Sequence, residues 1–179
     1  MNNLKFNVLI VVGMLCLCFS CKDDEGPRGG SFILDGQEYR LSTVLTQNYA
    51  SGDDYYAWTL ALSTSGLKFD ETLGWYTGKG ELVLLALWSY GFRGKELPED
   101  VYVNPDVPVK SLIASASVRT GYDGNSSGGL IKNFSEAYVI VKKKDKVNYE
   151  IEFSMTRKDT GDEIAGTYTG PVEIVEFAE

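Results

Sequence analysis

The side chains able to do chemistry in this chain are almost all oxygens: its 179 residues hold 25 aspartates and glutamates, three cysteines and no histidine. The missing imidazole excludes Ser-His-Asp triads, histidine-containing zinc sites and a histidine general base together. What survives is carboxylate chemistry. A pair drawn from Asp70, Glu71, Glu96, Glu99 and Asp100 could protonate a glycosidic oxygen and activate a water, although an acidic soluble surface needs such residues for solvation in any case. Asp123, Gly124 and Asn125, and the pair Asp53 and Asp54, offer oxygen ligands for calcium. Neither has the spacing and closing glutamate of an EF-hand, and turn chemistry accounts for both. No glycine-rich loop stands between a strand and a helix, the context a phosphate cradle needs. The residues therefore point to no catalytic centre, no metal and no cofactor. Trp75 and Tyr76, set between Gly74 and Gly78, are the candidate ligand platform. Flat rings on a loop either stack against a sugar or a protein partner, or fold back as a lid over the core.

The cysteines Cys16, Cys18 and Cys21 crowd into the N-terminal leader, so no thiol follows Cys21 to make a disulfide, a metal cluster or a nucleophile. Asn2, Asn3 and Lys5 form a short polar, positive start to the leader. Phe6 to Phe19 is almost wholly apolar over the length of a signal core, short of the roughly 20 residues a spanning helix needs. Ser20 puts a small residue immediately before Cys21. The segment reads as an export signal ending at an attachment point.

Ser20 and Cys21 at the end of this leader resemble the lipobox of bacterial lipoproteins, with Cys18 and Phe19 where leucine and a smaller residue are usual. That resemblance implies cleavage before Cys21, which then carries acyl chains. Lys22, Asp23, Asp24 and Glu25 resemble the charged tag that sends lipoproteins of the Bacteroidetes to the outer face of the outer membrane. A run of charge also serves as a solvated spacer. Gly26, Pro27, Arg28, Gly29 and Gly30 have nothing apolar to pack and complete a tether. The organisation implied is a signal peptide over 1–20, a lipidated N-terminus and tether over 21–30, and one folded domain over 31–179. The location implied is the outer membrane, lipid-anchored and facing the cell exterior.

The folded part reads as β throughout. Val147, Tyr149, Ile151, Phe153 and Met155 share one face of a strand, with Asn148, Glu150, Glu152 and Ser154 on the other. Asp35 and Gly36 mark a tight hairpin turn between Phe32–Leu34 and Gln37–Leu41. Leu82 to Trp88 is apolar on both faces, as in a strand covered on both sides. Pro105 and Pro108 confine the short strand at Val101–Val103 to a sheet edge. Gly170 and Pro171 break the C-terminal stretch into a three-strand meander. The count comes to roughly nine or ten strands, which fits a single antiparallel β-sandwich, or alternatively a closed or partly closed, lipocalin-like β-barrel. A looser similarity, carried by Leu97, Pro98, Tyr102, Tyr149, Ile151, Phe153, Gly161, Ile164, Gly166, Tyr168 and Gly170, is to Bacteroidetes lipoproteins with compact β domains. It implies a folding pattern and no activity.

The net charge of −8 becomes more negative once the leader and its single Lys5 are removed, which disfavours nucleic acid and anionic lipid as partners. Membrane contact is then left to the acyl chains on Cys21. The cluster Lys142, Lys143, Lys144 and Lys146 reads as a solvated hairpin end guarding a sheet edge. Three functions fit these residues. The leading one is a non-catalytic module on the cell surface that binds a glycan or a protein. The others are an accessory subunit of a fimbrial or nutrient-uptake complex, and a carboxylate-based glycosidase.

Overall fold

In the computed structural model, the described residues are 28–50, 55–92, 94, 96–104, 110–124 and 128–176. They form strands and turns with no helix, so the all-β expectation holds. The strands are β1 (Gly29–Leu34), β2 (Gln37–Ala50), β3 (Tyr55–Thr64), β4 (Leu67–Asp70), β5 (Trp75–Gly78) and β6 (Gly80–Tyr90), followed by β7 (Asp100–Val103), β8 (Ser111–Tyr122), β9 (Leu130–Phe134), β10 (Glu136–Lys143), β11 (Asn148–Thr156) and β12 (Glu163–Glu176). Ten of them run β6-β3-β2-β1-β12-β11-β10-β7-β8-β9 in one sheet. Because β6 also pairs with β8, from Gly80↔Tyr122 to Ser89↔Ser111, nine strands close on themselves and β9 is added outside the closure. The architecture is thus the barrel alternative and not a sandwich of two sheets: the long pairing of β6 removes the open edges that a sandwich keeps.

Alternation along each strand sends one set of side chains into the barrel. Val44, Leu62, Val83 and Val118 face one another across β2, β3, β6 and β8, and all four are fully buried. On the opposite wall Phe32, Gly166, Phe153, Val139 and Tyr102 stand in register across β1, β12, β11, β10 and β7. Gly166 is required there, since a Cβ would lie 2.5 Å from Phe153 Cζ and 2.7 Å from Phe32 Cβ. The two phenylalanine rings take the space. Each end of the barrel carries a lysine in an ion pair. Lys132 of β9 reaches Asp35 in the β1–β2 turn at 2.7 Å and Asp162 in the β11–β12 turn at 3.8 Å, while Lys143 pairs with Glu96.

Several sequence expectations change. The Asp35–Gly36 turn is as expected, with φ of 52° and 76° at the two residues. β7 is not at an edge but lies between β10 and β8, held to β8 by the parallel pair Val103↔Leu112. Pro105 and Pro108 are outside the described residues. β12 runs unbroken through Gly170 and Pro171, because the chain changes neighbours there rather than turning. Its first half pairs with β1 up to Gly29↔Thr169, and its last residues pair in parallel with β2 from Val172↔Val44. Pro171, lacking an N–H, sits in the gap between the two partners, where no donor is needed. Trp75 and Tyr76 lie on a strand and not a loop, since β4 and β5 form a separate hairpin.

Candidate functional site

The β4–β5 hairpin lies on the outside of the barrel, against the outward faces of β3, β6 and β8. Leu67 and Tyr76 from the hairpin and Ala61, Leu82 and Tyr122 from the wall make a second, smaller core, with Phe69, Trp75 and Leu84 packed around it. This explains why Leu82–Trp88 is apolar on both faces: β6 has the barrel interior on one side and the hairpin on part of the other. The hairpin turn is capped by Asp70, whose Oδ1 accepts from Thr72 N at 2.9 Å and Leu73 N at 3.0 Å. Its base is tied by Lys79 N donating to Gly66 O at 3.1 Å. Gly78 is needed at this crossing, because its φ is +99° and a Cβ would lie 2.2 Å from Gly66 O. The Tyr122 hydroxyl donates to the carbonyl of Tyr76 at 2.8 Å and pins the second strand to the wall.

Adjacent strand residues point to opposite faces, so Trp75 and Tyr76 cannot form one platform. Their rings are 6.4 Å apart and at 82° to each other. Tyr76 is turned into the small core at 3% exposure, edge-on to Phe69, which rules out a free stacking face. Trp75 is half-buried with the Arg119 guanidinium 5.2 Å from its ring centroid. Trp58 is fully buried in the barrel, whereas Trp88 faces outward and stacks on Tyr55 at 4.9 Å. Cys21 and the run Lys22, Asp23, Asp24, Glu25 lie outside the described residues, as do Asp53, Asp54 and Asn125.

Where the hairpin meets β2, β3 and β12 it leaves a crevice of about 230 Å³ lined by Thr43, Leu45, Ser63, Leu67, Lys68, Phe69, Glu71, Tyr76 and Glu173. The wall side is built by register: Thr43 opposes Ser63, and Leu45 opposes Glu173. Two hydroxyls here, Tyr76 Oη and Ser63 Oγ, are screened from solvent and have no hydrogen-bond partner. A buried polar group left so costs about 1–3 kcal/mol. Burial, and then the nearby Glu173 carboxylate, push the Tyr76 phenol well above its ordinary range, so it stays a neutral donor. The crevice thus offers two hydroxyls, a carboxylate acceptor and the apolar sides of Leu45, Leu67 and Phe69. Among the described residues no base is hydrogen-bonded to the Ser63 hydroxyl.

Two other hollows among the described residues lack this combination. The groove at the Lys132 end is larger, about 430 Å³, but Lys132, Arg157 and Lys158 along it are already paired with Asp35, Asp159 and Glu136. A groove of about 280 Å³ on the opposite outer wall runs between Ile33 and Tyr138 over Gly166, without an unpartnered buried polar atom. The carboxylates singled out for acid–base chemistry are dispersed. Asp70 caps a turn, Glu96 pairs with Lys143, and Asp100 accepts from Ser111 Oγ at 2.6 Å. Glu71 alone among them reaches the crevice. No group of three or more metal-ligating side chains forms among the described residues. Ser63 and Glu173 are the site residues the sequence did not mark, because a serine and a glutamate on strands carry no motif; only the pairing of β2 with both β3 and β12 brings them together.

Compared with known proteins, the chain matches no family model, and neither a curated protein nor a solved structure matches it with significance.

Proposed function

We propose that this protein is a lipid-anchored protein of the outer bacterial surface whose barrel is a non-catalytic module binding a glycan or a protein partner in the crevice under the β4–β5 hairpin. The anchor rests on Ser20 and Cys21 at the end of the apolar leader, and the outward direction on Lys22–Glu25. Binding rests on one observation: Tyr76 Oη and Ser63 Oγ are buried beside the crevice without partners. Buried polar groups in folded proteins are mostly paired, and a ligand that pairs with both hydroxyls would account for these two. Trp75 and Tyr76 remain part of this reading in altered roles. Tyr76 acts through its hydroxyl instead of its ring face, and Trp75 holds the hairpin down with Arg119. The test is a screen of glycan arrays and outer-membrane extracts with wild type, Tyr76→Phe and Ser63→Ala. Binding that both substitutions weaken supports the crevice; binding indifferent to both removes it.

A further inference from the structure

We infer that the crevice is built for one neutral, hydroxyl-rich ring, the terminal sugar of a glycan, gripped through adjacent hydroxyls by the Glu173 carboxylate. The inference rests on the crevice being the binding site and adds the class of ligand. Size comes first: about 230 Å³ falls below the roughly 300–1,000 Å³ of drug-sized pockets, which leaves room for a single ring. The donor and acceptor set comes next. Glu173 makes no salt bridge among the described residues, so both its oxygens are available to accept from two neighbouring hydroxyls. Tyr76 Oη needs an acceptor for its proton, and Ser63 Oγ can donate or accept.

A sugar hydroxyl meets these needs because it donates and accepts at once. An ammonium group has only donors and would leave the Tyr76 proton unpaired. A carboxylate ligand meets two carboxylates, Glu71 and Glu173, against the single cation Lys68, in a chain already at −8. Leu45, Leu67 and Phe69 supply the apolar surface on which the C–H face of a sugar ring rests. Both unpartnered oxygens are screened from solvent, so pairing with a ligand requires the hairpin to lift from the wall.

The experiment is saturation-transfer NMR on the purified full chain in detergent, titrated with methyl glycosides of glucose, galactose and mannose, and in parallel with glucosamine and glucuronate. The expected result is saturable binding of at least one neutral glycoside, weakened about tenfold by Glu173→Gln and by Tyr76→Phe. Glucuronate should not bind, and glucosamine should bind no tighter than glucose. Failure of every neutral glycoside, equal or tighter binding of glucuronate or glucosamine, or indifference to Glu173→Gln overturns the ligand class. If whatever does bind still responds to Tyr76→Phe, the crevice survives as the site and only its ligand is wrong. If nothing that binds responds to Tyr76→Phe or Ser63→Ala, the site reading falls as well. Release of free reducing sugar would instead contradict the non-catalytic reading.

Discussion

At the scale of single residues, two positions have measurable consequences for stability. Gly166 is held between Phe32 and Phe153, and a methyl group there has nowhere to go. Gly166→Ala should therefore destabilise the barrel by about 1–3 kcal/mol, read as a lowered urea midpoint with unchanged slope. Asp145 shapes the β10–β11 turn: its Oδ1 accepts from Val147 N and Asn148 N at 2.9 Å, and its Oδ2 from the Asn148 side-chain amide at 2.8 Å. The side-chain amide first, and then the two backbone N–H groups, lower its pKa from 3.8 to about 2. A carboxyl lowered in the folded state contributes stability that is full above the unfolded value and is lost as pH falls through the folded one. Asp145→Ala should accordingly be less stable than wild type at neutral pH, and the gap should close between about pH 4 and pH 2. A gap that stays constant over that range would show that the carboxylate is not what shapes the turn.

At the scale of elements, the β4–β5 hairpin is the part on which the site depends, and it is held by a short inventory of contacts. Removing the Tyr122 hydroxyl, which donates to Tyr76 O, should cost about 0.5–1.5 kcal/mol and act locally. Hydrogen exchange of Tyr122→Phe should speed up at residues 67–78 while β11 and β12 keep their protection; loss of protection throughout the barrel would mean that the hairpin is part of the cooperative core. The same hairpin marks where sequence reading stops. The alternation of Tyr149, Ile151, Phe153 and Met155 and the Asp35–Gly36 turn are local signals, and both are realised in β11 and the β1–β2 turn. β4 and β5 are four residues each and depend on the wall beneath them, so their local pattern is too short to declare a strand. Gly170 and Pro171 look like a break because sequence does not show that β12 trades β1 for β2 at that point. Tyr76 was legible as a residue of interest, but its role was not: which face a strand residue presents is decided by what covers it.

At the scale of the whole molecule, barrel closure depends on pairings between segments far apart in the chain, β6 with β8, and β12 with β1 and then β2. No local pattern encodes them, which is why strand signals alone fit a sandwich as well as a barrel. The closure also fixes where the folded domain starts. β1 begins at Gly29, at the point where β12 leaves it for β2, so Gly29 and Gly30, expected in the tether, belong to the barrel wall. If Cys21 carries the proposed anchor, Cys21→Ser should abolish lipid labelling and release soluble protein. Alanines in place of Lys22–Glu25 should leave labelling intact while hiding the domain from protease added to whole cells. The measurement that bears most directly on the central claim maps the site itself. Amide chemical shifts of the full chain would be followed during titration with a ligand taken from the array or extract screen. The account predicts shifts clustered at Thr43, Ser63, Lys68, Tyr76 and Glu173 and extending along β4 and β5. Shifts clustered on the opposite wall, around Ile33 and Tyr138, with the hairpin silent, would contradict it.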